Sequence, residues 1–504
     1  MLHTVKEYAD LLQRQGLLLS CSLPEELLSL PVQCLTYDTR EMDSPGLFIC
    51  KGVHFKEEYL AQALEKGAVA YISQQPYPES DRCLLVSDIR RAIPYLAQLH
   101  YNNAPAALIS AGITGTKGKS TTAYYLRSVL NCWLSAQKKP DCAILSSIDT
   151  YDGVINQESH ITTPEALELH RHFRHAADSG ISHLVMEVSS QALKYGRVDG
   201  ITFDVAAFLN IGTDHISPIE HADFEDYFSS KLKIFDHCKA ACVNTDMDHA
   251  QRVLETAQGK CRVVTFGSHE SDDVYCSHIE KRPEGIFFQV RTPAFSGEFD
   301  ITMPGLFNVS NALCTIAMSL VLGIPEEYIR QGLHKARAGG RMQVYESRDR
   351  QVTVIVDYAH NRLSFEALFR SVKVEYPGRE IRIVFGCPGY KAYLRRQDLG
   401  EIAGREADFV YITEEDSGEE PFESIAADIE KAVAAQNCPH LVLEDRGECI
   451  RQAVCSGTGP RLILLTGKGE ETRQKRGMQY VDCPSDVDFT LQALAAYDAA
   501  HPQE

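Results

Sequence analysis

Positive charge is in short supply: 50 Lys and Arg stand against 69 Asp and Glu, a net charge of −19. Such a surface repels nucleic-acid backbones and anionic lipid. No nucleic acid is expected among the partners, and a polyphosphate would have to be met by a local group of cations. Long apolar runs are missing too. None approaches the roughly 20 residues that cross a bilayer, and "MLHTVKEYAD" opens without a charged-then-apolar leader, so a cytoplasmic protein without membrane insertion is expected. The 16 cysteines lack zinc-finger spacing, since the nearest pair, Cys238 and Cys242, has no second pair to match. They read as reduced thiols.

What is present is ample apolar material, 44% of 504 residues, enough for several cores in series. Short strand-like pieces ("VQCLTYDTR", "GLFIC", "AVAYIS", "CLLVSD") precede a polar linker at "HYNNAPAA". Next, "AALISAGIT", "HLVMEVSS", "DVAAFLNIG" and "ACVNTD" alternate with amphipathic stretches, the pattern of a parallel sheet. After "LHKARAGGRMQVY" a second such series begins with "QVTVIVDYAH", "EIRIVFGC", "DFVYIT" and "RLILLTG". The expected fold is α/β with three domains: a smaller N-terminal α/β domain (1–105), a central P-loop domain with a parallel sheet (106–336) and a Rossmann-like C-terminal domain (337–504). Ligands are expected at the carboxyl ends of the strands.

Between an apolar run and a helix-periodic one lies Gly115-Thr116-Lys117-Gly118-Lys119-Ser120, followed by Thr121. Glycines let such a turn aim its N–H groups at phosphate oxygens, Lys119 adds a charge, and Ser120 offers a hydroxyl to Mg²⁺. The usual spacing puts a further Gly at position 113, which is Ile here. Glu187 and His215 close two later strands and are candidates for the metal side of a nucleoside triphosphate site; a strand-end surface Glu and a hydrogen-bonded structural His are the plainer readings. In "ADFEDYFSSKLKIFD", Lys231 falls inside the apolar stripe of Phe224, Tyr227, Phe228, Ile234 and Phe235. A buried ammonium is costly unless paired or neutralised. Snorkelling or an acid partner is the common solution, and CO₂ capture as a carbamate able to hold Mg²⁺ is the sharper one.

"GTKGKS", "TTPEALELHR", "MEVSSQAL", "DHISPIEH", "YFSSK", "GLFNVSNAL", "GRM", "DYAHN" and "GKGEE" follow one another in the order seen in the Mur ligases. The chain resembles the branch that adds the third residue to UDP-N-acetylmuramoyl-L-alanyl-D-glutamate in peptidoglycan synthesis. The resemblance implies an ATP- and Mg²⁺-dependent ligase that phosphorylates the D-glutamyl carboxyl and lets an amine attack the acyl phosphate. It implies a UDP-muramoyl dipeptide and a free amino acid as partners, and a monomer is expected. Thr39 and Arg40 would meet the uridine nucleotide, and Thr162, Thr163, Ser189, Gln191 and Arg197 the muramoyl peptide; turn and capping roles are the alternative for these Thr and Ser residues. Lys119, Ser120, Glu187, His215 and carbamylated Lys231 would form the phosphate and metal set, with Asn308 and Asn311 near adenine, Arg341 at phosphate and Asp357 at ribose.

The C-terminal loop departs from the family. "TEEDSGEEP" stands where Asp-Asn-Pro-Arg is frequent, "GCPGYKAYLRR" where a Gly-Gly-Asp-Arg-Asp-like run is usual, and "GKGEE" replaces Gly-Lys-Gly-His-Glu. The acids Glu414, Glu415, Asp416, Glu419 and Glu420 favour a basic amino acid such as L-lysine over diaminopimelate, while a merely solvated loop is the bland alternative. Lys391, Asp416, Gly467 and Glu471 are the candidates to contact the incoming residue. A paralogue joining another amino acid or acceptor (folylpolyglutamate-like or secondary-metabolic), or a nucleotide-binding protein with degraded chemistry, is the competing reading.

Overall fold

A computed structural model describes residues 2–52, 55–159, 161–217, 220–391 and 393–502. Its architecture is α/β, built on sheets of five, eleven and six strands that take successive stretches of chain. The first sheet runs, in spatial order, Leu18–Cys21, Cys83–Val86, Ala68–Ser73, Gly46–Ile49 and Cys34–Thr36, parallel except at the Leu18–Cys21 edge. Helix Ile89–His100 follows, its first turn capped by the Asp88 carboxylate. The polar stretch expected as a linker contains a 3₁₀ turn, Ala104–Ala107, entered through Asn103 in the left-handed region.

In the middle of the eleven-stranded sheet, Ala143–Leu145, His183–Glu187, Ile109–Thr114, Val205–Phe208, Ala240–Asn244 and Arg262–Gly267 are parallel neighbours. "HLVME" is buried at every position, as expected of a strand covered on both faces. Helices Lys119–Ala136, Asn308–Val321 and Glu326–Lys335 cover one face; Ala166–Asp178 and Phe224–Leu232 cover the other. The sheet is not wholly parallel, as the apolar runs implied. Antiparallel pairs flank it: Asp149–Tyr151 and Asn156–Glu158 at one end, and at the other Val274–Arg282, which still runs parallel to Arg262–Gly267, followed by Gly285–Arg291 and Ser296–Ile301 in antiparallel register. Connections as short as Pro283-Glu284 can join only antiparallel neighbours.

The six-stranded sheet orders Gln343–Glu346, Val352–Asp357, Arg461–Thr466, Glu380–Phe385, Phe409–Ile412 and His440–Val442, antiparallel only at the first edge. The carboxyl ends of its strands lead into Tyr358–Asn361, Gly467–Glu471, Cys387–Lys391 and Glu414–Asp416. These loops face the turn that leaves strand Ile109–Thr114.

Candidate active site

Helix Lys119–Ala136 starts two residues before its apolar periodicity does, straight after Gly118 at φ 84°. No side chain caps it, so its first N–H groups face the cavity as an anion-binding end. A Cβ on Gly118 would lie 2.5 Å from Asn311 Oδ1. Asn210 clamps the turn: its Oδ1 accepts from Lys117 N at 3.0 Å, and its Nδ2 donates to Lys117 O at 3.1 Å. Gly212 N donates to Thr116 Oγ1 at 3.1 Å, and the Tyr227 hydroxyl lies 3.0 Å from the same oxygen.

The stripe argument for Lys231 is met: the side chain is 2% exposed. Its Nζ donates to Gly115 O at 2.9 Å and lies 4.8 Å from the Tyr227 ring centroid. Lys119 Nζ donates to Gly115 O at 3.0 Å as well. Burial, then the proximity of Lys119, pushes the Lys231 amine well below its ordinary range, and burial lowers Lys119 too. Glu187, buried at the end of its strand, accepts from Ser147 N at 2.7 Å and from Ser147 Oγ at 3.3 Å. His215 is held at φ 56°, with Nδ1 2.8 Å from Glu220 Oε1 and Nε2 3.8 Å from Asp214 Oδ2.

Lys119, Glu187 and His215 border one cavity of about 690 Å³ between the eleven- and six-stranded sheets. Of the residues singled out by sequence, Thr116, Lys117, Gly118, Lys119, Ser120, Thr121, Thr162, Glu187, His215, Asn308, Asn311, Arg341, Asp357, Lys391, Asp416 and Gly467 line it. Gly115 and Lys231 sit directly behind the turn. Arg341 crosses between the two halves, its Nη2 3.3 Å from Ser120 Oγ and its guanidinium 4.3 Å over the Tyr358 ring. Burial raises the Asp357 carboxyl, whose oxygens accept from Met342 N and Ala359 N.

Other candidates lie apart from it. Thr39 and Arg40 are in the first sheet's loops, where Arg40 pairs with Asp38. Thr163 Oγ1 donates to Glu187 O and accepts from Ser189 N, while Ser189 caps helix Ser190–Lys194; both hydroxyls serve the backbone. Gln191 reaches Glu220 at 3.5 Å. Arg197 binds Thr163 O and Glu165, beside a small pocket against the first sheet. Glu471 accepts from Tyr358 Oη at 2.6 Å and pairs with Lys468.

The acidic loop is less acidic than its sequence. Glu414 pairs with Arg476, Glu420 with Arg396 and Asp416 with Lys468. Glu415 and Asp416 line the cavity. Burial pushes the Glu415 carboxyl up to about 8, against the downward pull of Arg446. A Cβ on Gly467 would collide with Glu415 Oε2, so this glycine makes room for the acid. Sequence reasoning missed the pairing across the cleft. Asp214 accepts from Arg395 Nη2 at 2.8 Å and Asn361 Nδ2 at 2.9 Å, and Lys117 Nζ donates to Leu363 O at 2.7 Å. "DHISP" pointed to the place, but its Asp rather than its His forms this bridge.

An uncapped helix behind a glycine turn, facing the strand ends of a second parallel sheet across a cleft lined with lysines and acids, defines a phosphate-loop α/β enzyme. The chain belongs to the Mur ligase family: residues 113–319 match the Mur ligase middle domain and residues 340–469 the Mur ligase glutamate ligase domain. It is 36% identical over 478 residues to the UDP-N-acetylmuramoyl-L-alanyl-D-glutamate--L-lysine ligase of Enterococcus faecalis (93% of this chain, 92% of that protein). It is 34% identical over 445 residues to a 2,6-diaminopimelate ligase of Caldanaerobacter subterraneus (87% and 90%). A solved UDP-N-acetylmuramoyl-L-alanyl-D-glutamate--2,6-diaminopimelate ligase has the same fold, with a TM-score of 0.66 at 22% identity over all of both chains.

Proposed function

We propose that this enzyme joins L-lysine to UDP-N-acetylmuramoyl-L-alanyl-D-glutamate at the expense of ATP, in the cytoplasmic stage of peptidoglycan synthesis. The observation that carries the reading is the shared cavity, in which the phosphate turn faces Glu415 and Asp416 across the cleft. Residues 1–105 bind the UDP-sugar with Thr39 and Arg40, 106–336 hold ATP, and 337–504 bring the amino acid.

A carboxylate is a poor electrophile. The terminal phosphoryl of ATP passes to a D-glutamyl carboxyl oxygen, ADP leaves, and the lysine α-amine attacks the acyl carbon and expels phosphate. Gly115 to Thr121 cradle the phosphates, and Arg341 reaches across the cleft beside Ser120. Asn308 and Asn311 sit on the adenine side and Asp357 on the ribose side. Thr162 borders the cavity where the dipeptide enters, and Lys391 lies on the amino-acid side. Magnesium fits the donor set, since the Ser120 hydroxyl and Glu187 carboxylate are hard oxygen ligands. His215 borders the same space, and Lys231, with its depressed amine, would add two oxygens as a carbamate. Bound there, magnesium would offset the charge on the transferring phosphoryl group. Closing the two halves over the bound substrates would shield the acyl phosphate from hydrolysis.

Glu415 supplies the preference for lysine: an incoming ε-ammonium offsets the burial that keeps this acid protonated. The test measures ATP-dependent phosphate release and product mass with the UDP-dipeptide and a panel of amino acids. L-lysine should exceed meso-diaminopimelate, and the reverse order would discard the assignment.

A further inference from the structure

Outside the cleft, Asp152 lies in the turn of the hairpin Asp149–Tyr151/Asn156–Glu158 and is wholly buried. Its Oδ1 is taken by the turn, accepting from Val154 N at 2.9 Å and Ile155 N at 2.6 Å. Its Oδ2 is aimed at two imidazoles, with His172 Nδ1 at 2.7 Å and His175 Nδ1 at 2.9 Å. The histidines sit three apart on helix Ala166–Asp178, hence on one face. All three ligand atoms lie within 4.8 Å of one another, and none of these residues lines the phosphate-turn cavity.

We propose that Asp152, His172 and His175 form a site for one zinc-type divalent ion, separate from the catalytic cleft. Two imidazole nitrogens and one carboxylate oxygen suit zinc, cobalt or nickel better than magnesium or calcium, which prefer oxygen. Ligand bonds of about 2.0–2.2 Å place tetrahedral ligands roughly 3.4 Å apart, so Oδ2 must withdraw by about 0.7 Å from His172 and about 0.5 Å from His175. The ion takes the place of the two Nδ1 protons. Asp152 and His172 are buried, whereas His175 is partly open, which gives an entry path and a fourth position for water.

The ion would staple the hairpin to the helix. The strand after the turn and the segment beyond it receive two contacts from the C-terminal part, Thr472 Oγ1 to Glu158 at 3.4 Å and Arg473 to Ser159 O at 3.4 Å. The same segment carries Thr162 and Glu165, so the staple would stiffen one wall of the acceptor side.

The metal-free full-length chain is dialysed against buffered Zn²⁺, and bound metal and thermal midpoint are measured with Co²⁺ visible spectra alongside. One Zn²⁺ per chain and a raised midpoint are expected, with a tetrahedral Co²⁺ spectrum. His175→Gln, whose ring is partly exposed and whose fold is checked by circular dichroism, should weaken Zn²⁺ binding by about tenfold or more. Asp152→Asn should do the same where it folds, and Ser120→Ala should keep full uptake. No uptake by the parent chain would make the cluster a hydrogen-bonded clasp only and overturn the proposal, as would uptake unchanged by His175→Gln or lost in Ser120→Ala.

Discussion

Two buried ionisable side chains carry the proposed function at the residue scale. Lys231 meets a carbonyl and a ring face, and among the described residues no carboxylate forms an ion pair with it. Burial disfavours the ammonium form of this amine, and the free amine is the form that adds to CO₂. Lys231→Ala should therefore lower kcat by about a hundredfold or more and recover in part with added short carboxylates; full activity without them would contradict a carbamate. Glu415 is raised from 4.5 to about 8. A carboxyl that holds its proton more firmly when folded weakens folding progressively as pH rises from 4.5 to 8, and no further above that. Thermal unfolding across this range should show Glu415→Gln gaining on the parent up to about pH 8. The KM for L-lysine should fall as pH approaches 8 in the parent and stay flat in Glu415→Gln. Lys231 was legible in the sequence because a cation interrupts an apolar stripe. Glu415 was not separable from Glu414 and Glu420, because the arginines that neutralise those two, Arg476 and Arg396, lie 62 and 24 positions away.

At the scale of elements, backbone and not side chain ends the strand and starts the helix at the glycine turn. Gly118→Ala would force a Cβ into the left-handed region, at about 1–2 kcal/mol, and against Asn311, itself bonded to Asn308 at 2.9 Å. Urea unfolding should show a loss of roughly that size or more, and ATP affinity should drop with it, since the helix N-terminus and the two Asn side chains would move together. A variant that keeps ATP affinity would mean the turn tolerates displacement. This element was readable from its glycines, as were the apolar strands beside it. The antiparallel flank beyond Val274–Arg282 was not, because strand direction there is set by connection length, with two residues before Gly285–Arg291 and four before Ser296–Ile301, and not by the composition of the strands. Thr163 and Ser189 show the converse: residues that match a ligand motif have their hydroxyls engaged in holding the turn after strand His183–Glu187.

At the scale of the whole molecule, the buried ion pair across the cleft is the one made by Asp214, beside the contacts of Arg341 and Lys117. The Asp214 side chain is 2% exposed and belongs to the central sheet's loops, while Arg395 and Asn361, its partners, come from the six-stranded sheet's side. Burial alone would raise the Asp214 carboxyl, yet Arg395, with His215 and His360 behind it, holds it below its usual range. The closed state therefore gains stability from this pair above about pH 4 and loses it on acidification through the depressed pKa. Removing one partner of a buried pair costs about 3–5 kcal/mol when the other stays buried. Here the molecule has an escape, because opening the cleft returns Asp214 to water. Arg395→Ala should accordingly shift the population toward an open form rather than unfold the protein. Small-angle scattering should give a larger radius of gyration for the variant, with ATP and UDP-dipeptide failing to restore the parent value. Turnover should fall by about tenfold or more, while ATP affinity, which the proposal assigns to the turn and its helix, changes little. A variant as compact as the parent, with turnover lost, would instead assign Arg395 to the chemistry and leave closure to Arg341 and Lys117.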